Sequence, residues 1–448
     1  MNPQHTPMER PTDDPLSRRT FLQGAAAAGL VGAAAGASLP LRLVDAASAQ
    51  TIVYWNLFGG GDGVRMVQME HDFAKHYPNI TVKATTLSWG TPYYTKLTTS
   101  TIAGKGPDVA ILHMTRLPAY APPGLLEPLD PSMLAHYGIT SDKFLPAIWQ
   151  KAQSGGKLYA IPLDTHPFVM YYNTEICRKA GLLDSRGLLK PLVGTAAVLD
   201  AFKRAQKVTG KYGLALDTGD VTPWRLFYTL YSQMGGQVLA DNGKKLVLDN
   251  AKAMRALSFM QELTLKSKVA PNNADYAGAV ALFSSGKAGF HWNGDWEVTT
   301  FQTAKLPFDM TLFPNIFGGL QTEADSHSFV IPHQRTLDKG RLDAALTFIS
   351  YLLKDSLVWA RGGHLPAYLP VADSAAYKHL LPQAHYAAEA KHVVYDPPAW
   401  YSGSASDLET TAAGPRFQAV LQGHLAPAKA LSEFTASVKK LISTPPPM

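Results

Sequence analysis

Polar and aromatic side chains stand together at several points of the 448-residue chain where a loop follows a regular element. The densest group is Asp164-Thr165-His166, which lies between Pro162 and Pro167, and the two prolines stiffen its backbone. Carboxylate and imidazole groups fix a polar ligand through charge-assisted hydrogen bonds. Asp164 and His166 are therefore candidate ligand-binding residues, and a structural role for Asp164 as the cap of the next element is the alternative.

Binding is favoured over catalysis by the motifs of the chain. The sequence has no G-x-S-x-G, H-E-x-x-H or C-x-x-C motif. Its only cysteine, Cys177, can form neither an internal disulfide nor a cysteine-type metal centre, and its surroundings predict a buried filler in a helix over 173–180. We expect no catalytic residue, no cofactor and no metal, and an exported enzyme of unknown type is the alternative from another class.

Strands and helices alternate in the first part of the chain. The patterns predict strands over 51–55, 80–84 and 108–112, with helices over 64–77 and 93–103 between them. This alternation is typical of βαβ units with a largely parallel sheet. Ligands bind at the carboxyl ends of the strands in such sheets, so residues in the loops that follow these strands are candidates.

Five candidate residues occupy those loops. Trp55, Phe58 and Asp62 follow the first strand, Trp89 follows the second, and His113 follows the third. Asp62 stands next to glycines and has little structural reason to be there. Trp55, by contrast, fits a core position as well as a ligand platform, because a tryptophan that closes a strand is often buried.

The glycine cluster at 59–61 also follows the first strand, but it does not fit a nucleotide-binding loop. Position 64 is Val, so the G-x-G-x-x-G spacing is missing, and no P-loop lysine follows. We interpret the cluster as a tight turn that lets backbone N–H groups approach a ligand at the start of a helix.

Size and charge set the broad class. The chain is too long for one ordinary core, which predicts two lobes. Lys and Arg total 41 against 35 Asp and Glu, a formal charge of +6 that is spread along the chain without a long basic run. A nucleic-acid partner is therefore not expected.

The N-terminal segment has the layout of an export signal. Arg18 and Arg19 precede Phe21, Leu22 and a stretch rich in Ala and Gly that ends in Ala47-Ser48-Ala49. The paired arginines resemble a twin-arginine (Tat) signal over residues 1–49, with cleavage near Ala49 and release into a periplasm. A membrane anchor is the alternative. No cysteine follows the apolar stretch, so a lipid anchor is not expected.

Short motifs along the mature chain resemble those of one protein family. In order, they are Val53-Tyr54-Trp55-Asn56, Gly60-Gly61-Asp62, Tyr94-Thr95-Lys96-Leu97, Gly106-Pro107-Asp108-Val109, Gly124-Leu125-Leu126-Glu127-Pro128-Leu129-Asp130, Gly156-Lys157-Leu158-Tyr159-Ala160-Ile161-Pro162, Tyr171-Tyr172-Asn173, Phe283-Ser284-Ser285-Gly286-Lys287-Ala288-Gly289 and Gly294-Asp295-Trp296. Each motif is weak alone, but their order and spacing resemble the extracellular solute-binding proteins of ABC importers, in the sugar-binding group that includes maltose-binding protein.

The resemblance implies an α/β fold of two lobes (type II periplasmic binding protein fold), each a mostly parallel sheet flanked by helices. The first lobe would comprise 50–163 and 290–330, and the second 164–289 and 331–448. Crossing segments are expected at 161–167, near 289–293 and around 328–334. The protein would act as a monomer, close over a mono- or oligosaccharide, and deliver it to the membrane permease.

The resemblance also implies further ligand contacts. The second crossing would supply Trp292, Asn293 and Asp295, the family's stacking platform matches Trp224 and Tyr228, and a glycine-rich turn would supply Arg361 and His364. Core positions for the tryptophans, and a solvated Arg361 beside a helix end, are the alternatives. A second ligand class stays open: Arg225, with Arg361, His166 and His364, could hold the phosphate of a glycerol phosphate or glycerophosphodiester, and a polyol is a further alternative.

Overall fold

The computed structural model describes residues 49–446. The expected export signal, with its paired arginines, therefore lies almost entirely outside the described residues.

Two mixed sheets, one of five strands and one of seven, organise the described part of the chain. Their strands in chain order are β1 Gln50–Asn56, β2 Ile80–Thr86, β3 Val109–His113, β4 Ala160–Pro162, β5 Asp164–Asn173, β6 Tyr212–Ala215, β7 Ala288–Gly294, β8 Phe308–Thr311, β9 Thr322–Asp325, β10 His327–Val330, β11 Leu365–Pro366 and β12 Val393–Tyr395. Two short hairpins, Gln153–Ser154 with Lys157–Leu158 and Leu239–Ala240 with Lys245–Leu246, lie apart from these sheets.

The helices surround the sheets. They are α1 Gly60–His76, α2 Thr91–Ile102, α3 Leu117–Tyr120, α4 Pro131–His136, α5 Pro146–Lys151, α6 Thr174–Lys179, α7 Gly194–Thr209, α8 Thr222–Ser232, α9 Asn250–Gln261, α10 Tyr276–Ser284, α11 Val298–Thr303, α12 Lys339–Lys354, α13 Ser356–Ala360, α14 Leu369–Ala372, α15 Ala375–Lys378, α16 Gln383–Tyr386, α17 Gly414–Gln422 and α18 Pro427–Ser443. Within residues 49–446, none of them has both the length and the apolar character needed to cross a membrane.

The first sheet has the order β2-β1-β3-β10-β4, and β1 pairs in parallel with both β2 and β3. Ile52 and Tyr54 alternate along β1 and are fully buried, as expected when one face of a strand meets the core. Helix α1 buries Met66, Met69 and Phe73, whose spacing places them on one helical face. The predicted elements of this region are confirmed, except that α1 begins at Gly60 and so absorbs most of the glycine cluster.

The second sheet has the order β12-β9-β5-β7-β6, and β8 and β11 also pair with β5. Strand β5 is buried along its whole length and pairs antiparallel with β7, β8, β9 and β11. Cys177 is buried against this sheet, with its Sγ 4.0 Å from the Gly289 carbonyl oxygen. Its interpretation as a buried filler is confirmed.

The chain passes between the sheets at single residues. Leu163 separates β4 from β5, inside the expected crossing at 161–167. Ser326 separates β9 from β10, slightly before the third expected crossing. The crossing expected near 289–293 is wrong, because β7 lies within the second sheet and pairs there with β5 and β6.

The expected lobe boundaries after residue 289 therefore need correction. Residues 290–325 do not join the first lobe, since β7, β8 and β9 all pair with β5 of the second sheet. The segment that follows 330 does not enter the second lobe at once, because α12 buries Leu346, Phe348 and Leu352 in the core that covers the first sheet. A helix belongs to the lobe whose core its buried face contacts. The order of motifs along the sequence could not show which face of α12 is buried.

Candidate functional site

The carboxylate of Asp164, at the start of β5, is the centre of a buried polar group at the junction of the two sheets. Its Oδ1 accepts a hydrogen bond from the backbone N–H of His327 at 2.8 Å and lies 3.1 Å from Nδ1 of His166. Its Oδ2 lies 2.8 Å from Nδ1 of His327 and accepts from the indole N–H of Trp359 at 2.6 Å. Asp164 is fully buried, so these partners replace the water that its charge would otherwise require.

His364 joins the same group from the turn before β11. Its Nε2 lies 2.9 Å from Oδ1 of Asp62, in the first turn of α1. Its Nδ1 lies 3.5 Å from Asp164 Oδ2 and 3.5 Å from Asp295 Oδ1. Gly363 permits this approach: its φ is +128°, and a Cβ there would lie 1.7 Å from the Asp295 carbonyl oxygen. We call Asp62, Asp164, Asp295, His166, His327 and His364 the hinge cluster.

The hinge cluster shifts the protonation of its members. Burial works against the charge of Asp164, yet the neighbouring histidines hold the pKa of its carboxyl well below the ordinary value. Burial also acts to lower the pKa of His364, but the carboxylates of Asp62 and Asp164 outweigh it and raise that pKa to about 10. Burial lowers the pKa of His166 to about 3, and it raises the pKa of Asp295 well above its usual range. A protonated His364 therefore balances an ionised Asp164.

Rings from the first lobe close the hinge cluster on one side. His113, at the end of β3, lies with its ring centre 4.7 Å from that of His327 and 5.4 Å from that of His166. Phe58 packs edge-on against His327 at 4.9 Å and against Trp359 at 4.6 Å. His113 and Phe58, the candidates that follow strands β3 and β1, thus contact residues of the hinge cluster.

A second polar group lies beside the hinge cluster, around Arg225 of α8. Its guanidinium lies over two indole rings, 5.8 Å from the ring centre of Trp89 and 5.2 Å from that of Trp296. Its Nε lies 3.9 Å from Oε2 of Glu323. Trp89 follows β2 in the first lobe, whereas Arg225 and Glu323 belong to the second, so this contact spans the two lobes.

Three buried carboxylates, those of Glu323, Asp396 and Glu409, face each other near Arg225. Burial raises the pKa of all three, that of Glu323 to about 8. We call Trp89, Arg225, Trp296, Glu323, Asp396 and Glu409 the cleft cluster.

Further hydrogen bonds join the lobes. Thr115, just after β3, donates from its hydroxyl to Asp325 at the end of β9, and its backbone N–H donates to the same carboxylate at 3.2 Å. The backbone N–H of Ser404 donates to the Thr115 hydroxyl at 3.1 Å. Gly403, with φ +99°, allows the close approach, because a Cβ there would lie 2.5 Å from the Thr115 carbonyl oxygen.

The structure brings most of the predicted site residues into or beside these two clusters. Asp62, Asp164, Asp295, His166 and His364 form the hinge cluster, and Trp89 lies in the cleft cluster. Asn293 is linked to the cleft cluster through Tyr276. Its side-chain amide donates to Tyr276 Oη at 3.0 Å, and the indole N–H of Trp296 donates to the same oxygen at 2.6 Å. Their predicted role in binding a ligand stays a prediction.

Other candidates lie outside the clusters. Trp292 packs in the second core, with ring centres 5.2 Å from Phe202 and 4.8 Å from Phe313, and it is fully buried. Arg361 is exposed at the end of α13. β7 directs Trp292 to the core face, as the alternative interpretation held, and α13 ends beside the exposed Arg361; a ligand role for either residue stays a prediction.

Three aromatic candidates serve as support. Trp224 is fully buried and donates from its indole N–H to Asp396 at 2.8 Å, with Tyr228 stacked on it at 5.1 Å. Trp55 is half-buried, with the Lys96 ammonium 5.9 Å from its ring centre. Trp224 thus acts from the core side of the cleft cluster, while the Trp55 ring contacts Lys96.

Sequence reasoning missed His327, Glu323 and Trp359. A signal for His327 was present in the polar run Asp325-Ser326-His327-Ser328 directly before an apolar strand. Glu323 lies two residues before that run. No comparable signal marks Trp359, which stands among apolar residues in a helical segment.

Two α/β lobes that meet at polar and aromatic clusters define a two-lobe binding protein. The model of the family described as bacterial extracellular solute-binding protein matches residues 59–356. The chain therefore belongs to this family, as the motifs predicted.

One relative is the arabinooligosaccharide-binding protein of Bacillus subtilis. It is 28% identical to this chain over 218 residues, which cover 47% of each chain. The chain thus spans about half the length of this relative. A putative binding protein of Brucella abortus is 24% identical over 333 residues, 71% of this chain and 79% of the relative.

Among solved structures, the GacH receptor of Streptomyces glaucescens is similar with a TM-score of 0.75 at 20% identity, over 88% of this chain and 98% of that one. The maltose/maltodextrin-binding domain MalE of Bdellovibrio bacteriovorus, bound to maltotriose, gives a TM-score of 0.71 at 22% identity, over 88% and 100%. The predicted type II fold is thereby confirmed, but the expectation of a mostly parallel sheet in each lobe is wrong for the second sheet, because β5 pairs antiparallel with β7, β8, β9 and β11.

Proposed function

We propose that the protein captures a mono- or oligosaccharide outside the cytoplasmic membrane and delivers it, as a monomer, to the permease of an ABC importer. The observation that carries this proposal is the cleft cluster. There the guanidinium of Arg225 lies over the indole rings of both Trp89 and Trp296, which come from the two sides of the cleft. Indole planes cover the apolar C–H faces of a sugar ring, and buried carboxylates and a guanidinium accept and donate hydrogen bonds to its hydroxyls. An arabinooligosaccharide-binding relative and a structural neighbour bound to maltotriose support this class.

Of the six side chains of the cleft cluster, one, Arg225, is cationic, which argues against a phosphate-bearing ligand. Arg225 is opposed by Glu323 at 3.9 Å, and Asp396 and Glu409 lie close to Glu323. An anionic ligand would approach three carboxyl groups for one guanidinium. His364, another of the expected phosphate partners, already contacts Asp62 at 2.9 Å. A glycerol phosphate or glycerophosphodiester is therefore the weaker alternative, and a neutral polyol remains compatible with the site.

Isothermal calorimetry of the purified protein tests the ligand class. We expect heat of binding with members of a panel of arabino-, malto- and manno-oligosaccharides, and none with a glycerophosphodiester. Product analysis of the same mixtures should find each sugar unchanged, whereas release of shorter sugars would favour the exported enzyme. Binding of the phosphodiester without any response to sugars would contradict the proposal.

A matched pair of variants locates the site. Trp89→Ala should weaken sugar binding by about 1–3 kcal/mol, since an aromatic platform is lost. Trp55→Ala is the control: it removes the same side chain at the neighbouring strand end, where Trp55 lies beside Lys96, and should leave the affinity unchanged. Equal losses in both variants, or none in either, would place the ligand elsewhere.

Closure of the two lobes is the proposed means by which the importer distinguishes loaded from empty protein. The lobes are joined at single-residue crossings such as Leu163 and Ser326, which permit hinge motion. A ligand held by both Trp89 and Trp296 favours the closed arrangement. Small-angle scattering should show a smaller radius of gyration with saturating sugar, and an unchanged radius would remove closure from the proposal.

Export through the Tat route to a periplasm completes the proposal. It rests on Arg18, Arg19 and the Ala/Gly-rich stretch after them.

A further inference from the structure

The hinge cluster contains four metal-ligating side chains whose donor atoms converge. One donor atom each from Asp164, His166, His327 and His364 lies within 4.8 Å of the other three, and all four residues are buried. The Nδ1 atoms of the histidines lie 3.1, 2.8 and 3.5 Å from Asp164 oxygens. In a tetrahedral zinc site, donor atoms lie about 3.4 Å apart, so small side-chain movements would bring these atoms around one ion.

The donors come from three separate parts of the chain. Asp164 and His166 lie at the start of β5, His327 begins β10, and His364 precedes β11. Two of these positions adjoin the crossings at Leu163 and Ser326. An ion held here would therefore tie together segments that the sequence separates widely.

Donor chemistry selects the type of ion. Three imidazole nitrogens with one carboxylate suit zinc and similar first-row divalent ions, whereas calcium and magnesium require mainly oxygen donors. The carboxylate of Asp62, which lies 2.9 Å from His364, adds negative charge beside the same point, which favours a cation.

Partners outside the donor set already orient the donors. Asp62 lies 2.9 Å from Nε2 of His364, and a carboxylate on the second nitrogen commonly orients a metal-bound imidazole. Trp359 and the His327 backbone N–H hold Asp164 in the same way, at 2.6 and 2.8 Å. These contacts fix both donor side chains before any ion arrives.

An independent observation concerns polar atoms without partners. Among the described residues, Nδ1 of His364 and both carboxylate oxygens of Asp295 are buried with no hydrogen-bond partner. These two side chains are fully buried and face each other at 3.5 Å. Orphaned buried donors and acceptors are costly, and an ion between them would satisfy both.

We propose that the hinge cluster is a transition-metal site in which His166, His327, His364 and Asp164 bind one zinc-type divalent ion, with Asp295 as a further oxygen donor. The site goes beyond sugar capture, because the ion would join the crossing segments whether or not a ligand occupies the cleft cluster. Nδ1 of His364 would bind the ion, while its Nε2 keeps its contact with Asp62 at 2.9 Å. The burial of all four donors means that the ion enters when the lobes separate.

Metal loading of the protein tests the site. The protein is purified without a polyhistidine tag, stripped with a chelator and dialysed against Zn²⁺, and bound metal is measured by mass spectrometry. We expect about one equivalent. Co²⁺ in place of Zn²⁺ should give the visible absorption bands of a four- or five-coordinate ion with nitrogen donors. Less than about a tenth of an equivalent of Zn²⁺, with only the spectrum of aqueous Co²⁺, would overturn the proposal.

Variants distinguish this site from surface histidines. His166→Gln and His327→Gln should each lower the affinity for Zn²⁺ at least tenfold, since each loses one donor. His333→Gln is the matched control: it removes an exposed histidine that lies 2.8 Å from Glu127, and the affinity should not change. Equal affinity in all three variants would overturn the assignment.

Diffraction keeps the test decisive if a hinge variant does not fold. Crystals of the Zn²⁺-loaded natural chain should show an anomalous peak between His166, His327 and His364. A peak at another place, or none, would overturn the site. Sugar binding is measured separately by calorimetry, so failure of the metal site and failure of the proposed function are distinguishable.

Discussion

Gly363 determines how closely the turn before β11 can approach Asp295, and Gly363→Ala should therefore be strongly destabilising. Its φ of +128° is a conformation that costs an alanine about 1–3 kcal/mol. The new Cβ would also lie 1.7 Å from the Asp295 carbonyl oxygen and 2.7 Å from its carbon. Both atoms are backbone, so relief requires movement of the chain by more than 1 Å, and we expect a total cost above about 4 kcal/mol.

Gly286→Ala is the matched control for this effect. Gly286 follows α10 with φ +68°, and no heavy atom lies within 4 Å of a Cβ built there. That variant has backbone strain without a clash and should cost about 1 kcal/mol. We therefore expect the two variants to differ by about 3 kcal/mol or more, from the clash together with the less favourable φ of Gly363.

Urea unfolding followed by both tryptophan fluorescence and far-UV circular dichroism measures the two free energies of unfolding, and coincident curves justify a two-state fit. A difference between the variants below about 0.5 kcal/mol would refute the close packing of Gly363 on Asp295. A destabilised Gly363→Ala protein that still folds at low temperature would also have His364 displaced from Asp62.

Three further predictions concern the core, pH and export. Trp292→Ala should lower the free energy of urea unfolding by about 3–5 kcal/mol, because the side chain is fully buried in the second core; a loss near zero would mean that the site collapses or is exposed. Burial raises the pKa of Glu70 in the folded chain to about 7, so the unfolded state ionises first as pH rises and stability should fall between about pH 4.5 and 7. Glu70→Gln should remove that part of the fall, and parallel pH profiles would contradict the burial effect. Replacement of Arg18 and Arg19 by Lys should leave full-length precursor in the cytoplasm on immunoblots of cell fractions, and normal periplasmic yield would indicate a general secretory signal instead.

Local patterns predicted the first lobe well. The alternation of Ile52 and Tyr54 in β1 is a property of a short segment and survives folding unchanged. The spacing in α1 predicted the helix but not its whole buried face, because Val64 and Val67 are exposed whereas Met66 and Met69 are buried. The type II fold followed from the resemblance of the ordered motifs to one family.

Face and register limited the prediction of the site. Along β7, successive side chains point to opposite sides, so Trp292 reaches the second core while His291 and Asn293 face the other way. The sequence shows apolar and polar residues mixed here and does not reveal which side is the cleft. Helix α8 is equally ambiguous, since nearly all its residues are buried.

Long-range pairing limited it further. His327 reaches Asp164 only because β10 lies between β3 and β4 in the first sheet. That placement depends on contacts between residues far apart in the chain, and no pattern around His327 encodes them. Asp164 and His166 were found because two prolines marked their segment, whereas the polar run around His327 did not show which carboxylate His327 would meet.

The central position of β10 in the first sheet has a consequence for synthesis. While the chain emerges from the ribosome, β3 and β4 have no strand between them until residue 330 has appeared, and α12, which covers β1, follows later still. A nascent or truncated chain that ends after α11 would expose two unpaired edges, which invite pairing with other chains. The first lobe therefore cannot fold completely from an N-terminal fragment. A soluble first lobe would require residues 327–372 to be joined directly to residues 50–163.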